Sequence, residues 1–276
     1  MKQSFLVLGM AILLFVSACR KKEAGVPLLT LNYKTPAKKW TEALPIGNGT
    51  LGAMIYGDAL NEHFQLNENT LYSGEPSSTF KDVDIRNDLE SVIRMLKKGD
   101  YVIADQHVTK NWLGKLHQSY QPFGDLKMNF EGGEILNYSR ELDISNSIST
   151  VSYQSNGVNY KREAISSYPD KVIAIKISAD KKSSISFETF LESVHPNCQT
   201  KISGNQIVFK GQAPGFVTRR TLEYFEQKGD QHKYSELYDE NGERRSFAKQ
   251  VLYGDEVDGK GMLFEGRLEV RNNGGE

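Results

Sequence analysis

Ile148-Ser149-Thr150-Val151-Ser152-Tyr153-Gln154-Ser155-Asn156-Gly157-Val158-Asn159-Tyr160-Lys161-Arg162-Glu163 decides the fold class of this chain. Ile148 to Tyr153 and Val158 to Glu163 read as two strands on either side of Ser155-Asn156-Gly157. Asn-Gly favours a type I′ hairpin because both residues tolerate positive φ. The same grammar extends in both directions. Downstream, Lys171 to Ser178 carries Val172, Ile173, Ala174, Ile175 and Ile177, and Ser184 to Leu191, Gln206 to Lys210 and Met262 to Val270 read as further strands. Upstream, Asp125 to Phe130 alternates apolar and polar, Leu51 to Tyr56 is a short apolar run bracketed by glycine, and Leu28 to Tyr33 is a first strand. Short strands separated by Gly and Asn turns predict a mainly β protein built as a two-sheet sandwich.

One helical insertion interrupts the pattern, around residues 84–113. Ile85, Leu89, Val92, Ile93 and Leu96 fall on one helical face, Asp82 or Asp84 can cap the start, and Gly99 is the stop. A second helix follows from Tyr101 to Leu113, closed by Gly114. Residues 211–260 are polar, charged and rich in tyrosine, without a clear period, and read as a long excursion of the functional or disordered kind.

Composition narrows the function. The 276 residues hold 34 Lys and Arg against 35 Asp and Glu, a net charge of −1, so no electrostatic footprint for nucleic acid exists. Apolar and charged fractions are ordinary for a globular chain, which argues against disorder. Two cysteines make no disulfide framework, and no CxxC is present for a structural zinc. No metal and no cofactor are expected.

The N-terminus reads as an address. Lys2 precedes a twelve-residue apolar run, Phe5 to Val16, the length of a signal-peptide core and too short for a membrane span. Val16-Ser17-Ala18-Cys19 then resembles a bacterial lipobox, with a plain secretory signal and an incidental cysteine as the alternative. Such a signal implies cleavage after residue 18, lipid attachment at Cys19, a tether over residues 19–27 and a sandwich domain from residue 28 to 276. The protein would then sit at a bacterial cell envelope, facing the periplasm or the outer surface, with the membrane as partner through its acyl chains. Cys198 would be the remaining thiol.

Several motifs dissolve on inspection. Gly47-Asn48-Gly49-Thr50-Leu51-Gly52 matches the dinucleotide fingerprint in letters, but Pro45 precedes it and a strand follows where a helix is needed, so the glycines make a tight turn into a strand. Asp239-Glu240-Asn241-Gly242 and Asp255-Glu256-Val257-Asp258-Gly259 lack the distal Glu of a calcium loop and read as solvated turns. His63, His107, His117, His195 and His232 are scattered, each structural or exposed rather than a ligand, and no G-x-S-x-G occurs. Glu68, in a polar cluster flanked by apolar residues, is the carboxylate of interest. Glycoside hydrolysis needs a second one facing it, so a buried hydrogen-bond network is the expected role.

Trp40-Thr41-Glu42-Ala43-Leu44-Pro45-Ile46-Gly47-Asn48-Gly49-Thr50-Leu51-Gly52-Ala53-Met54 resembles the opening signature of glycoside hydrolase family 95, the α-L-fucosidase family, and Leu66-Asn67-Glu68-Asn69-Thr70-Leu71-Tyr72-Ser73-Gly74 resembles the next. Tyr72 stands where the family commonly has Trp, and Thr50 where it has Arg. Tyr120 to Leu126, Tyr138 to Asp143, Gly157 to Glu163 and Gly261 to Glu265 continue the match in order. The resemblance implies a β-super-sandwich that is only the N-terminal domain of the family's enzymes. Their catalytic acid and amide-assisted base, which hydrolyse with inversion, lie on a following (α/α)6 barrel, and no catalytic residue is expected in this chain. Trp40, Asn48, Asn67, Glu68 and Asn69 are signature positions, expected to be structural or close to sugar. The chain then reads as a truncated or split part of a fucosidase acting on fucosylated glycans through a complete enzyme, with a separate catalytic chain as a partner. A stand-alone carbohydrate-binding or scaffold lipoprotein is the alternative.

Overall fold

A computed structural model describes residues 29–74, 83–113, 118–195, 198–215, 217, 220–234, 237–246 and 261–273. Cys19, the signal segment and the tether lie outside these residues, as do Asp82, Gly114 and His117.

Strands β1 (Thr30–Tyr33), β6 (Ile135–Asp143), β7 (Ile148–Ser155), β8 (Val158–Ser167) and β9 (Val172–Ala179) form one antiparallel sheet in the order β1-β6-β7-β8-β9. Strands β2 (Leu44–Gly47), β3 (Leu51–Ile55), β4 (Asn61–Glu68), β5 (Gly124–Phe130) and β10 (Phe187–Glu192) form a second, ordered β10-β5-β4-β3-β2. The Asn-Gly hairpin is as the sequence predicts: Asn156 and Gly157 take φ of 51° and 70°, and β7 buries every second residue. Period-two burial seals that face against the other sheet. Ile46, Ile55, Phe64, Leu126 and Met128 of the second sheet pack with Leu142 and Ala164 of the first.

A third sheet extends the sandwich: β11 (Gln199–Ser203), β12 (Gln206–Gln212) and β13 (Leu263–Glu269). Phe209 of β12 is fully buried and packs edge-on against Phe123 and Phe264, with ring centroids 5.1 and 5.8 Å away. Gly266 makes room for it, since a Cβ there would lie 1.9 Å from the Phe209 ring. β2, β4, β6 and β11 are strands that the apolar pattern did not single out. β4 and β11 are polar, and β6 is broken by a register shift at Leu136/Ser139 where Asn137 has φ of 53°.

The helical insertion holds α1 (Leu89–Lys98) and α2 (Tyr101–Asn111). Gly99 is the left-handed stop, as expected. The start differs. Asp84 grips Arg86 through Nε and Nη2 at 2.8 and 2.6 Å, Ile85 lies in the preceding turn, and α1 begins only after Asp88. Asp88 makes no side-chain cap, because its carboxylate is taken by His107 Nε2 at 2.5 Å and Trp112 Nε1 at 2.7 Å. The excursion after β12 is folded over its described residues. Thr221 caps α3 (Leu222–Lys228), and Leu222, Phe225, Tyr234, Leu237 and Tyr238 make a small core of their own. Asp239 Oδ1 accepts from Asn241 and Glu243 N–H, the solvated turn expected there. The second acidic motif lies outside the described residues.

Candidate functional site

Two of the signature residues, Asn48 and Asn69, meet at the turn between β2 and β3. Asn48 Oδ1 accepts from the N–H groups of Thr50 and Leu51 at 2.9 and 2.8 Å, and its Nδ2 donates to Ser167 O at 2.8 Å at the end of β8. A short side chain with both an acceptor and donors thus closes the turn and ties one sheet to the other. Gly49 takes φ of 87°, where an L side chain is strained. The glycine motif therefore makes the tight turn predicted for it.

Asn69, just past β4, reaches the same turn. Its N–H donates to Thr50 O and its Nδ2 to Gly49 O, both at 3.0 Å. Asn67 lies two residues before it on β4, opposite Gly52 in the β3–β4 register. Glu68 does not build a buried network. It is half-buried, and its Oε2 accepts from Thr70 N–H and Thr70 Oγ at 2.8 and 2.6 Å, closing a local turn. Glu68 ends its strand, where water and the next turn compete for the carboxylate.

Two tyrosines stand over this end of the sandwich. Tyr72 and Tyr120 pair as an isolated antiparallel bridge and set their rings 5.3 Å apart, edge to face, with both rings exposed. Partial burial raises the Tyr120 phenol above its ordinary value, helped by the nearby negative charge of Glu68. Below them Gln121 is buried. Its Nε2 donates to Ser119 O at 3.0 Å, while its Oε1 has no partner. Gln118 Oε1 accepts from Ser73 Oγ at 3.0 Å and Val217 N–H at 3.1 Å, joining the excursion after β12 to this end.

Glu68, Asn69, Tyr72 and Tyr120 make a rim of carboxylate, amide and aromatic faces, the side-chain types that hold sugar hydroxyls and ring faces. Trp40 stands apart, exposed on a 3-10 turn, Trp40–Glu42, and shares no hydrogen bond with the rim. Among the described residues, no group of three or more His, Cys, Asp or Glu side chains could hold a metal ion.

Residues 31–276 match glycosyl hydrolase family 65, N-terminal domain. The chain belongs to that family. Alpha-L-fucosidase 2 of Arabidopsis thaliana is 35% identical over 188 residues, which are 66% of this chain and 22% of that protein. A probable alpha-fucosidase A of Aspergillus niger is 28% identical over 180 residues, 62% of this chain and 22% of its own length. The chain spans about a fifth of the length of these relatives. It is an N-terminal domain of the fucosidase-like glycoside hydrolase kind. The family that matches carries the number 65.

For this family 65 N-terminal domain, the histidines are individually employed. His63 donates or accepts at Asp125 Oδ1 over 2.6 Å and stacks on Tyr56 at 4.5 Å. His107 sits on Asp88, and His195 is buried with Nε2 donating to Pro122 O at 2.9 Å. Sequence reading found no convincing histidine pair, and it had no means of finding His63 with Asp125, since adjacent strands bring them together across 62 residues. The Tyr72–Tyr120 pair was equally hidden, although both tyrosines stand inside quoted motifs.

Proposed function

We propose that this chain is the sandwich portion of a family 95-type α-L-fucosidase, and that it serves hydrolysis of fucosylated glycans together with an (α/α)6 catalytic domain. In this reading Cys19 carries lipid and holds the protein at a bacterial envelope, on the periplasmic or the outer face, and the rim at Glu68, Asn69 and the two tyrosines lies on the side turned toward sugar. The run of signature stretches, in order from Trp40 to Glu265, carries the assignment to family 95, and the fucosidase relatives support the fucosidase part of it. Inverting hydrolysis needs two carboxyl groups facing each other across the scissile bond, roughly 6.5–9.5 Å apart. Glu68 instead spends its carboxylate on Thr70. The chemistry is therefore assigned to the partner domain, either later in the same protein or on a separate chain.

The test is hydrolysis of an α-1,2-fucosyl oligosaccharide by the chain alone and by the chain with a catalytic domain of the same family. Release of fucose only in the second case is expected. Release by the chain alone overturns the reading. Metabolic labelling with a fatty acid, lost in Cys19→Ser, checks the anchor separately.

A further inference from the structure

A second polar cleft lies away from the signature turn, at the edge where β1 and β6 meet the segment leading into β2. It is an open cleft of about 430 Å³, lined by Tyr33, Thr35, Pro36, Lys38, Thr41, Glu42 and Arg140. Its base is rigid. Arg140 is only 2% exposed, with Nε donating to Thr35 O at 2.8 Å and Nη1 to Glu42 O at 2.7 Å. The guanidinium carbon lies 4.4 Å from the centre of the Tyr33 ring, so one ring face is held by the cation while the residue stays 41% exposed. Glu42 is fixed as well: Lys38 N–H donates to its Oε2 at 2.8 Å. Backbone N–H groups hold that carboxyl below its usual range, so it is an anion at neutral pH.

The cleft thus combines a flat aromatic face, a carboxylate acceptor, an ammonium donor and two hydroxyls within one small volume. Vicinal hydroxyls on a pyranose need this combination. One hydroxyl donates to a carboxylate, its neighbour accepts from a cation, and the apolar C–H face of the ring lies on an aromatic side chain. Arg140 is buried with Nε and Nη1 on backbone carbonyls, so the exposed charges of the cleft are Lys38 and Glu42, one of each sign, and the carboxylate at the mouth disfavours an anionic ligand. We infer that the Tyr33–Glu42–Arg140 cleft is a non-catalytic binding site for a neutral pyranose unit of a glycan chain. It would keep a polysaccharide at the surface of the sandwich whichever domain cuts it, and the inference goes beyond the proposed hydrolysis.

Saturation-transfer NMR on the full chain tests this, with lactose, 2′-fucosyllactose and xylotriose as probes, and mannitol and a trigalacturonate as controls. Mannitol keeps vicinal hydroxyls without a ring face, and trigalacturonate keeps the ring with charge. Transfer to at least one neutral oligosaccharide, absent for mannitol and weaker for trigalacturonate, is expected. Tyr33→Ala should weaken it at least tenfold, and the exposed Lys38→Ala and Glu42→Gln several-fold, with the exposed Glu188→Gln on β10 unchanged. Because Tyr33 also packs on Arg140, the melting temperature of each variant is measured, and Lys38→Ala decides if Tyr33→Ala does not fold. No transfer to any neutral oligosaccharide at millimolar concentration, or binding unchanged in folded Lys38→Ala and Glu42→Gln, overturns the inference. Because no hydrolysis is read, failure here leaves the fucosidase reading untouched.

Discussion

Glu62 of β4 and Arg162 of β8 form an ion pair sealed between the two main sheets, 3% and 0% of the arginine and glutamate side chains being exposed. The carboxylate also accepts from Gly57 N–H at 2.8 Å and His63 N–H at 2.9 Å, and Arg162 Nη2 donates to Asp58 O at 2.6 Å. The pair is thus embedded in backbone contacts that fix the β3–β4 connection. Removing one partner strands the other charge away from water. Arg162→Met should cost about 3–5 kcal/mol in urea unfolding. Adding Glu62→Leu should recover only part of that loss, because the carboxylate's two backbone donors then have no acceptor. Full recovery in the double variant would show that those backbone bonds contribute little.

The signature turn gives a second expectation. Asn48→Ala removes two acceptor bonds and the link to Ser167 at once, whereas Asn48→Asp keeps the acceptor and loses only the donor. The alanine variant should lose about 1–3 kcal/mol and the aspartate variant clearly less, by chemical denaturation. Equal losses would mean that the bond to Ser167 carries the whole effect.

What the sequence made legible was local. The Asn-Gly hairpin, the Gly99 stop and the glycine turn at Asn48 each depend on residues within a few positions of one another, and each stands in the structure as read. β4 was not visible, because Asn61-Glu62-His63 looks like surface until Arg162, 100 residues later, supplies the counter-charge that lets Glu62 be buried. The start of α1 is hidden in the same way: Asp88 precedes it without a side-chain cap because His107 of α2 and Trp112 just beyond claim its carboxylate. Part of the rim is legible, since Glu68 and Asn69 belong to one signature, Leu66 to Gly74. Its aromatic pair is an isolated bridge outside the strands, and no periodicity connects Tyr72 to Tyr120.

His195 gives the chain a pH dependence. Burial lowers its pKa from the ordinary 6.5, so the folded imidazole stays neutral, with Nδ1 buried and unpartnered. Below that value the unfolded chain binds a proton that the folded chain refuses. Stability therefore falls as pH drops below the unfolded pKa, and the slope ends once the folded pKa is passed. His195→Gln keeps a donor for Pro122 O but cannot titrate. Urea midpoints at about pH 7.5 and about pH 5 should differ less for this variant than for the parent chain. An unchanged difference would assign the acid sensitivity to other groups.

The helical insertion carries a last expectation. Leu89, Ile93 and Leu96 fall on the face predicted for α1, yet only Val92 among the apolar residues of that helix is buried. Tyr101, Val102 and Ile103 at the start of α2 are more exposed still, at 67%, 69% and 56%. Six exposed apolar side chains on two adjoining helices put much of the exposed apolar surface of the described residues on this insertion. The native chain should therefore bind a hydrophobic dye without denaturant. Ile93→Lys combined with Leu96→Lys should remove much of that fluorescence while moving the thermal midpoint little, since exposed side chains contribute little burial to lose. Negligible dye binding by the parent chain would show that the exposed residues form no sticky surface, and undiminished binding by the folded double variant would place that surface elsewhere.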